Sequence, residues 1–154
     1  MGAEAGLSHA EVLELIPQQV PFRFIEEITE LSDVHAVGKY TFKQDEFFYK
    51  GHFPDQPITP GVILLETLCQ TGLVALGIYL LSLEMPKDEV TAYRTLFTDA
   101  EVEFSDMVLP GHEVIVHAEK VVWRRRKLRS KVNMHRSDGT LVASGTVAGM
   151  GVAT

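Results

Sequence analysis

The stretch from Gly61 to Leu83, GVILLETLCQTGLVALGIYLLSL, constrains the fold of this chain more than any other feature. It is almost entirely apolar and about long enough to cross a bilayer as a helix. Glu66 and Gln70 lie within it and no Lys or Arg closely flanks it, which disfavours a membrane span. A helix that is apolar on every side can instead form the buried centre of a soluble fold. We therefore expect a long central helix wrapped by other elements.

Both ends of this predicted helix carry boundary signals. Thr59 is expected to cap its first N–H groups, and Pro60 to occupy the first helical position, where its missing N–H has no consequence. Met85-Pro86 and the charged residues after it end the helix. A shorter helix is predicted from about His9 to Ile16, with Ser8 as its cap.

Most of the remaining chain is predicted to form strands. The extended candidates are Phe22 to Leu31, Val34 to Phe42, Thr91 to Phe97, Glu101 to Phe104, His112 to Trp123, Lys127 to His135 and Thr140 to Met150. The predicted fold class is therefore α+β, a single domain over residues 1–154 (core about 11–150) in which an antiparallel sheet wraps one long helix. Such a sheet leaves a long edge strand unpaired, so we expect at least a dimer, paired edge to edge.

Composition and missing motifs exclude several functional classes. With 14 basic and 21 acidic residues the chain has a net charge of −7, which disfavours general nucleic-acid binding. Cys69 is the one cysteine, so a disulfide framework and Cys-rich zinc sites are excluded, and a reducing compartment is expected. The chain has no Gly-x-Ser-x-Gly elbow and no Gly-rich phosphate loop before a helix, and no metal site is predicted. Residues 1–20 carry no targeting signal, which predicts a cytoplasmic protein.

One segment combines a stiff backbone with side chains that can exchange protons. Residues 51–61, GHFPDQPITPG, hold three prolines and two glycines and end where the central helix begins. His52 lies in this loop, Glu66 follows in the helix, and Gln70 lies one turn further on the same face. Burying an unpaired carboxylate among apolar neighbours is unfavourable and raises its pKa, which is typical of functional acids. His52 and Glu66 are therefore candidates for acid–base chemistry.

The run HFPDQPITPGVILLETLCQ resembles the signature of the bacterial 3-hydroxyacyl-[acyl-carrier-protein] dehydratases of the FabZ type. Ile16-Pro17, Pro21-Phe22, residues 46–48 and Pro110-Gly111 fit the same family, so the resemblance extends over about residues 11–150. It implies a hotdog fold, in which an antiparallel sheet wraps the central helix. It also implies dimers whose two protomers share each active site. Whether three such dimers assemble into a hexamer is left open.

The resemblance further implies a role for individual residues. His52 would remove the α-proton of a 3-hydroxyacyl thioester, and Glu66 of the second protomer would help the hydroxyl leave as water. The N–H of Gly61 would hold the thioester carbonyl, and Gln70 would orient Glu66. Substrate binding is assigned to Phe53, Gly61, Val62 and Gln70. The substrate would be carried on the phosphopantetheine of acyl carrier protein, with no metal and no redox cofactor.

Several positions depart from the family pattern and leave the pathway and the acyl-chain length open. The departures are Gln18-Gln19 in place of His-Arg, Thr59 in place of Met, Cys69 in place of a frequent alanine, and the acidic Glu101, Glu103 and Asp106 where basic residues are common. They leave the catalytic pair intact. A polyene or polyketide pathway is therefore an alternative to fatty-acid synthesis.

A basic run on this acidic chain is the other charged feature, Arg124, Arg125, Arg126 and Lys127 at a predicted hairpin turn. It is either a solvated turn or a docking site for the acidic carrier protein; nucleic acid is disfavoured because no aromatic platform accompanies it. Two functions besides dehydration stay open: a hotdog thioesterase that recruits Glu66, and a non-catalytic hotdog partner that binds acyl carrier protein. Fold alone cannot choose among them.

Overall fold

Residues Gly61–Ser82 form the central helix of the fold. In a computed structural model, which describes residues 6–154, a six-stranded antiparallel sheet packs against this helix. The elements are α1 (His9–Leu15), β1 (Glu27–Leu31), β2 (His35–Thr41), α2 (Gly61–Ser82), α3 (Lys87–Val90), β3 (Tyr93–Phe104), β4 (Glu113–Arg124), β5 (Lys127–Arg136) and β6 (Leu141–Ala153). The strand order is β1-β2-β4-β5-β6-β3. Although α2 is long and apolar enough to span a membrane, 78% of its most apolar window is buried, as expected of the core helix of this sheet.

The middle of α2 lies directly against β5. A methyl group added at Gly72 would come within 2.8 Å of a Val132 methyl, so this close approach requires glycine. At the same point the Ser130 hydroxyl donates a 2.7 Å hydrogen bond to the Gly72 carbonyl. The buried residues of β4, such as Val114 and Val116, complete the core. The predicted α+β hotdog architecture is confirmed.

The central helix is not a regular α-helix along its whole length. Residues Gln70–Ala75 form a π-helical segment between the α-helical parts Gly61–Cys69 and Leu76–Ser82. The apolar pattern gave no sign of this segment, because every residue in it is buried. Such segments occur often at functional sites, and this one begins at Gln70.

Two strand predictions are wrong in their bounds. β1 begins at Glu27 rather than Phe22, because the Phe24 N–H donates to the Gln70 side chain instead of to a neighbouring strand. The two short strands predicted between residues 91 and 104 are one long strand, β3. It pairs with β6 along its length and accommodates an irregularity between Phe97 and Asp99.

Of the two helix-start predictions, one is confirmed and one is wrong. Ser8 caps α1 and forms a reciprocal capping box with Glu11. Thr59 does not cap α2, whose N-cap is Pro60 with no side-chain cap. The reason is local: Thr59 is buried, and its hydroxyl lies 2.7 Å from the hydroxyl of Tyr49.

Strand β3 forms one edge of the sheet and is exposed along most of its length. Phe97 and Phe104 on this strand expose 53% and 43% of their surface. Large exposed aromatic side chains on an edge strand with free backbone groups are typical of a surface that another chain covers.

Candidate active site

His52 lies in the connection between β2 and α2, and short turns build this loop. Successive four-residue turns link Lys43 to Glu46, Glu46 to Tyr49, and Tyr49 to His52 through backbone hydrogen bonds. Beyond His52, the backbones of Phe53 and Gln56 bond to each other in both directions. The loop therefore holds His52 at a defined place, as its prolines and glycines predicted.

The imidazole of His52 is fixed by its own loop. Its Nδ1 lies 2.9 Å from the carbonyl oxygen of Ile58, and the Ile58 N–H donates back to the His52 carbonyl at 3.0 Å. Because a carbonyl can only accept, Nδ1 carries a proton, so the neutral form of the ring has its lone pair at Nε2. The Phe53 ring, 47% exposed, stacks on the imidazole at a centroid distance of 4.1 Å. This arrangement suits a general base.

Glu66 projects from the second turn of α2 and is held by Gln70. The Gln70 amide donates to Glu66 Oε2 at 2.8 Å and to the Phe22 carbonyl at 2.9 Å, while its Oε1 accepts the Phe24 N–H at 2.7 Å. Gln70 is fully buried. Both of its N–H donors and its carbonyl oxygen therefore have partners, which fixes its orientation.

The environment of Glu66 favours the protonated carboxyl. Burial raises the pKa of Glu66 above its ordinary value, and the hydrogen bond from Gln70 opposes this rise. Since Gln70 occupies Oε2, a proton on the carboxyl is directed to Oε1. A neutral carboxylic acid in such a position can protonate a leaving group.

The first residues of α2 offer unpaired amides at the surface. Within the described chain, neither the Gly61 nor the Val62 N–H donates a hydrogen bond. Both residues are exposed, and the Phe104 ring of β3 lies next to Gly61. Free amides at a helix N-terminus stabilise negative charge on an oxygen atom.

His52 and Glu66 are held by different partners in the described chain. No hydrogen bond joins the two side chains in the part of the chain that the structure describes. Each instead meets its own supports, the Ile58 carbonyl and Gln70 respectively. The structure thus brings Glu66, Gln70 and the N-terminal part of α2 together, and holds His52 with Phe53.

The basic turn lies near the C-terminal end of α2. Arg125 and Arg126 adopt positive φ angles of 53° and 61° in the tight turn between β4 and β5. The Trp123 ring N–H donates at 2.7 Å to Glu84, just beyond the end of α2. Since α2 is about 33 Å long, the turn is remote from Gly61 of the same protomer. Arg124, Arg125, Arg126 and Lys127 are all exposed.

Two features near the site were missed from the sequence. One is the hydrogen bond between Tyr49 and Thr59; the other is the buried Glu46 carboxylate, which accepts the Tyr40 hydroxyl at 2.5 Å. In both cases the sequence shows only a polar side chain next to apolar ones. Residue spacing cannot distinguish such a buried polar residue from an exposed one. In residues 6–154, no three His, Cys, Asp or Glu side chains cluster as metal ligands would.

Comparisons with known proteins identify the family to which this chain belongs. A family model described as a FabA-like domain matches residues 16–148. The 3-hydroxyacyl-[acyl-carrier-protein] dehydratase FabZ of Streptococcus agalactiae is 32% identical over 137 residues, which cover 89% of this chain and 92% of the relative.

Two solved structures share the fold at low sequence identity. The dehydratase heterocomplex ApeI:P from Xenorhabdus doucetiae has a TM-score of 0.71 at 12% identity and covers 93% of this chain and 91% of its own. A hypothetical thioesterase from Streptococcus pneumoniae, crystallised with coenzyme A, has a TM-score of 0.58 at 13% identity, with coverages of 83% and 86%. At these identities the likeness shows the fold alone. The family model and the FabZ relative go further: this chain belongs to the FabA-like family and is a FabZ-like hotdog dehydratase, a hydro-lyase.

Proposed function

We propose that this protein removes water from 3-hydroxyacyl groups carried on acyl carrier protein and gives the trans-2-enoyl product, in the cytoplasm, in fatty-acid synthesis or a related polyene or polyketide pathway. The observation that carries the proposal is the setting of Glu66, a carboxyl whose pKa is raised by burial and whose orientation is fixed by Gln70. Dehydration needs such an acid, because hydroxide is a poor leaving group. The name of the FabZ relative describes the same reaction.

The elimination uses groups that are already oriented. His52 Nε2 takes the α-proton, and the electrons of the broken C–H bond form the C=C bond. The C–O bond breaks as Glu66 Oε1 gives its proton to the leaving hydroxyl, which departs as water. In the charged transition state, the thioester oxygen is stabilised by the Gly61 N–H at the start of α2. The reaction is redox-neutral, so it requires no redox cofactor.

The site is proposed to be completed by a second copy of this chain. In the described chain no hydrogen bond joins His52 and Glu66, and an exposed apolar side chain lies beside each of them. Val62 beside Glu66 is 74% exposed, and Phe53 beside His52 is 47% exposed. Edge-to-edge pairing of β3 would cover Phe97 and Phe104 and bring His52 of one protomer to Glu66 of the other. The geometry is compatible with a dimer or with three dimers in a hexamer.

The basic turn is proposed as the dock for the carrier protein. A narrow apolar pocket begins under Arg126, Tyr93 and Trp123 and follows α2 to Leu73. Leu73 lies seven residues, or about 10 Å, beyond Glu66 along the helix. The pocket has a volume of about 20 Å³, which is room for one water molecule and too little for a phosphopantetheine arm or an acyl chain. The exposed charges of the turn are what favour it as the dock.

Product analysis tests the reaction. We would incubate the full chain with 3-hydroxyacyl-carrier protein of several chain lengths and identify the products by mass spectrometry. The expected result is an enoyl product that is lost in His52→Ala and in Glu66→Gln, by about 10²-fold or more. His117→Ala and Glu119→Gln, both on the exposed face of β4, are matched controls and should retain activity. A free acid as product would indicate a thioesterase, and bound but unchanged substrate a non-catalytic partner; either would overturn the proposal.

A mixing experiment tests the shared site. When inactive His52→Ala and Glu66→Gln protomers are unfolded together and refolded, half of the dimers should combine the two variants. Each mixed dimer would contain one intact site, so about one quarter of the wild-type activity should return. Absence of recovery, with mixed dimers verified by mass, would show that each site lies within one protomer.

A further inference from the structure

The two ends of the His52 loop are joined by a buried pair of hydroxyl groups. Tyr49 and Thr59 are 5% and 3% exposed, and their hydroxyl oxygens lie 2.7 Å apart. Tyr49 precedes His52 by three residues, and its carbonyl accepts the His52 N–H. Thr59 follows Ile58, whose carbonyl accepts the His52 Nδ1 proton. The Tyr49–Thr59 hydrogen bond therefore joins a residue that bonds to the His52 backbone and a residue that directly follows the acceptor of the His52 imidazole.

Thr59 is held on a second side as well. Its backbone N–H donates at 2.9 Å to the carbonyl of Val108, in the segment that precedes β4. The peptide between Ile58 and Thr59 is thus fixed by a backbone bond and by the Tyr49 hydroxyl. Burial raises the pKa of Tyr49 to about 12, so the phenol stays neutral and able to share a proton with Thr59.

We propose that Tyr49 and Thr59 are positioning residues that fix the proton of His52 on Nδ1 by holding the Ile58 carbonyl in place. The inference rests on the proposed role of His52 as the base, and it explains why Thr59 does not cap α2: its hydroxyl is committed to the loop. If the Ile58 carbonyl moves away, it no longer accepts a hydrogen bond from Nδ1, and the neutral ring is no longer stabilised with its proton on that atom. A ring protonated on Nε2 cannot accept the α-proton at that atom.

The experiment compares Thr59→Val, which removes the hydroxyl at constant shape, with Thr59→Ser, which keeps it. Tyr49→Phe removes the other partner. The tautomer of His52 is read from ¹H–¹⁵N NMR spectra of the imidazole, and kcat and KM are measured with a short thioester. We expect Thr59→Val and Tyr49→Phe to populate the Nε2-protonated tautomer and to lose roughly tenfold to a hundredfold in kcat, with little change in KM. Thr59→Ser should restore both.

The double variant Tyr49→Phe/Thr59→Val separates positioning from stability. Removing both partners leaves no unsatisfied hydroxyl, so its unfolding midpoint should approach that of the wild type, while its kcat stays low. As a control, Tyr40→Phe removes another buried tyrosine hydroxyl, bonded to Glu46, and should leave the His52 tautomer unchanged even if stability falls.

The NMR result and the activity are independent outcomes. An unchanged Nδ1-protonated His52 in both single variants overturns this inference, whatever the activity. A changed tautomer in a protein whose wild type does not dehydrate its substrates supports the positioning role and overturns the proposed function instead.

Discussion

The side-chain amide of Gln70, the first residue of the π-helical segment of α2, donates a 2.8 Å hydrogen bond to Oε2 of Glu66. The same buried amide bonds to the backbone of Phe22 and Phe24. One side chain therefore connects the proposed general acid to the segment that precedes β1. That connection is the reason why residues 22–26 depart from the predicted strand.

Replacing Gln70 by Met should destabilise the fold as well as disorient Glu66. The change keeps the approximate volume but leaves the Phe24 N–H and the Phe22 carbonyl without their partner. We expect a loss of about 2–3 kcal/mol in the free energy of unfolding, measured by urea titration. Gln44→Met, at an exposed position, is the matched control and should change it by less than about 0.5 kcal/mol. Equal effects of the two changes would contradict the structural role of Gln70.

The raised pKa of Glu66 predicts a pH dependence of stability. Because the pKa is higher in the folded than in the unfolded chain, the protonated carboxyl favours folding at pH values below the unfolded pKa. This contribution is lost as the pH rises through the folded pKa. Glu66→Gln stays neutral at every pH, so its stability should exceed that of the wild type most at about pH 8 and least at about pH 4. Thermal unfolding across this range is the measurement; a difference that grows toward acid pH would contradict it.

The long helix and the strands could be predicted because the length of an apolar run and the alternation of apolar and polar residues can be read from neighbouring positions in the sequence. The loop that holds His52 could also be predicted, because its three prolines restrict the backbone and its glycines favour turns. The π-helical turn at Gln70 could not be predicted. All of its residues are buried, so the sequence shows no alternation of apolar and polar residues from which the helix type could be read. The Tyr49–Thr59 bond joins residues ten positions apart through a fold that spacing does not specify, and Thr59 fitted a helix cap equally well.

Cys69 should be inert toward thiol reagents in the folded protein. Burial, the larger cause, and the neighbouring Glu66 carboxyl group raise its pKa to about 12. At pH 8 roughly one thiol in ten thousand would then be ionised. Labelling with a disulfide reagent should be slow in the native state and complete once urea unfolds the chain. Fast stoichiometric labelling of the native protein would show that the side chain is reached by solvent.

The basic turn between β4 and β5 should affect carrier-bound substrates selectively. Arg126 stacks on the Tyr93 ring at 5.1 Å, so its replacement would also disturb packing at the pocket mouth. Arg124 and Arg125 are exposed and make no ion pair among the described residues. The variant that tests docking is therefore Arg124→Ala/Arg125→Ala.

This double variant should raise KM for acyl-carrier-protein substrates by about tenfold at low salt, because electrostatic attraction to an acidic partner is lost. KM for a short pantetheine thioester, which reaches the site without docking, should stay within about twofold. Lys39→Ala/Lys120→Ala removes two charges from β2 and β4, outside the turn, and serves as the matched control. In 0.5 M salt the variant and the wild type should converge, since exposed charges are then largely screened. Equal effects on both substrates would show that these arginines act in folding. No effect on either substrate would show that the turn is a solvated hairpin. Each of these results contradicts a docking site.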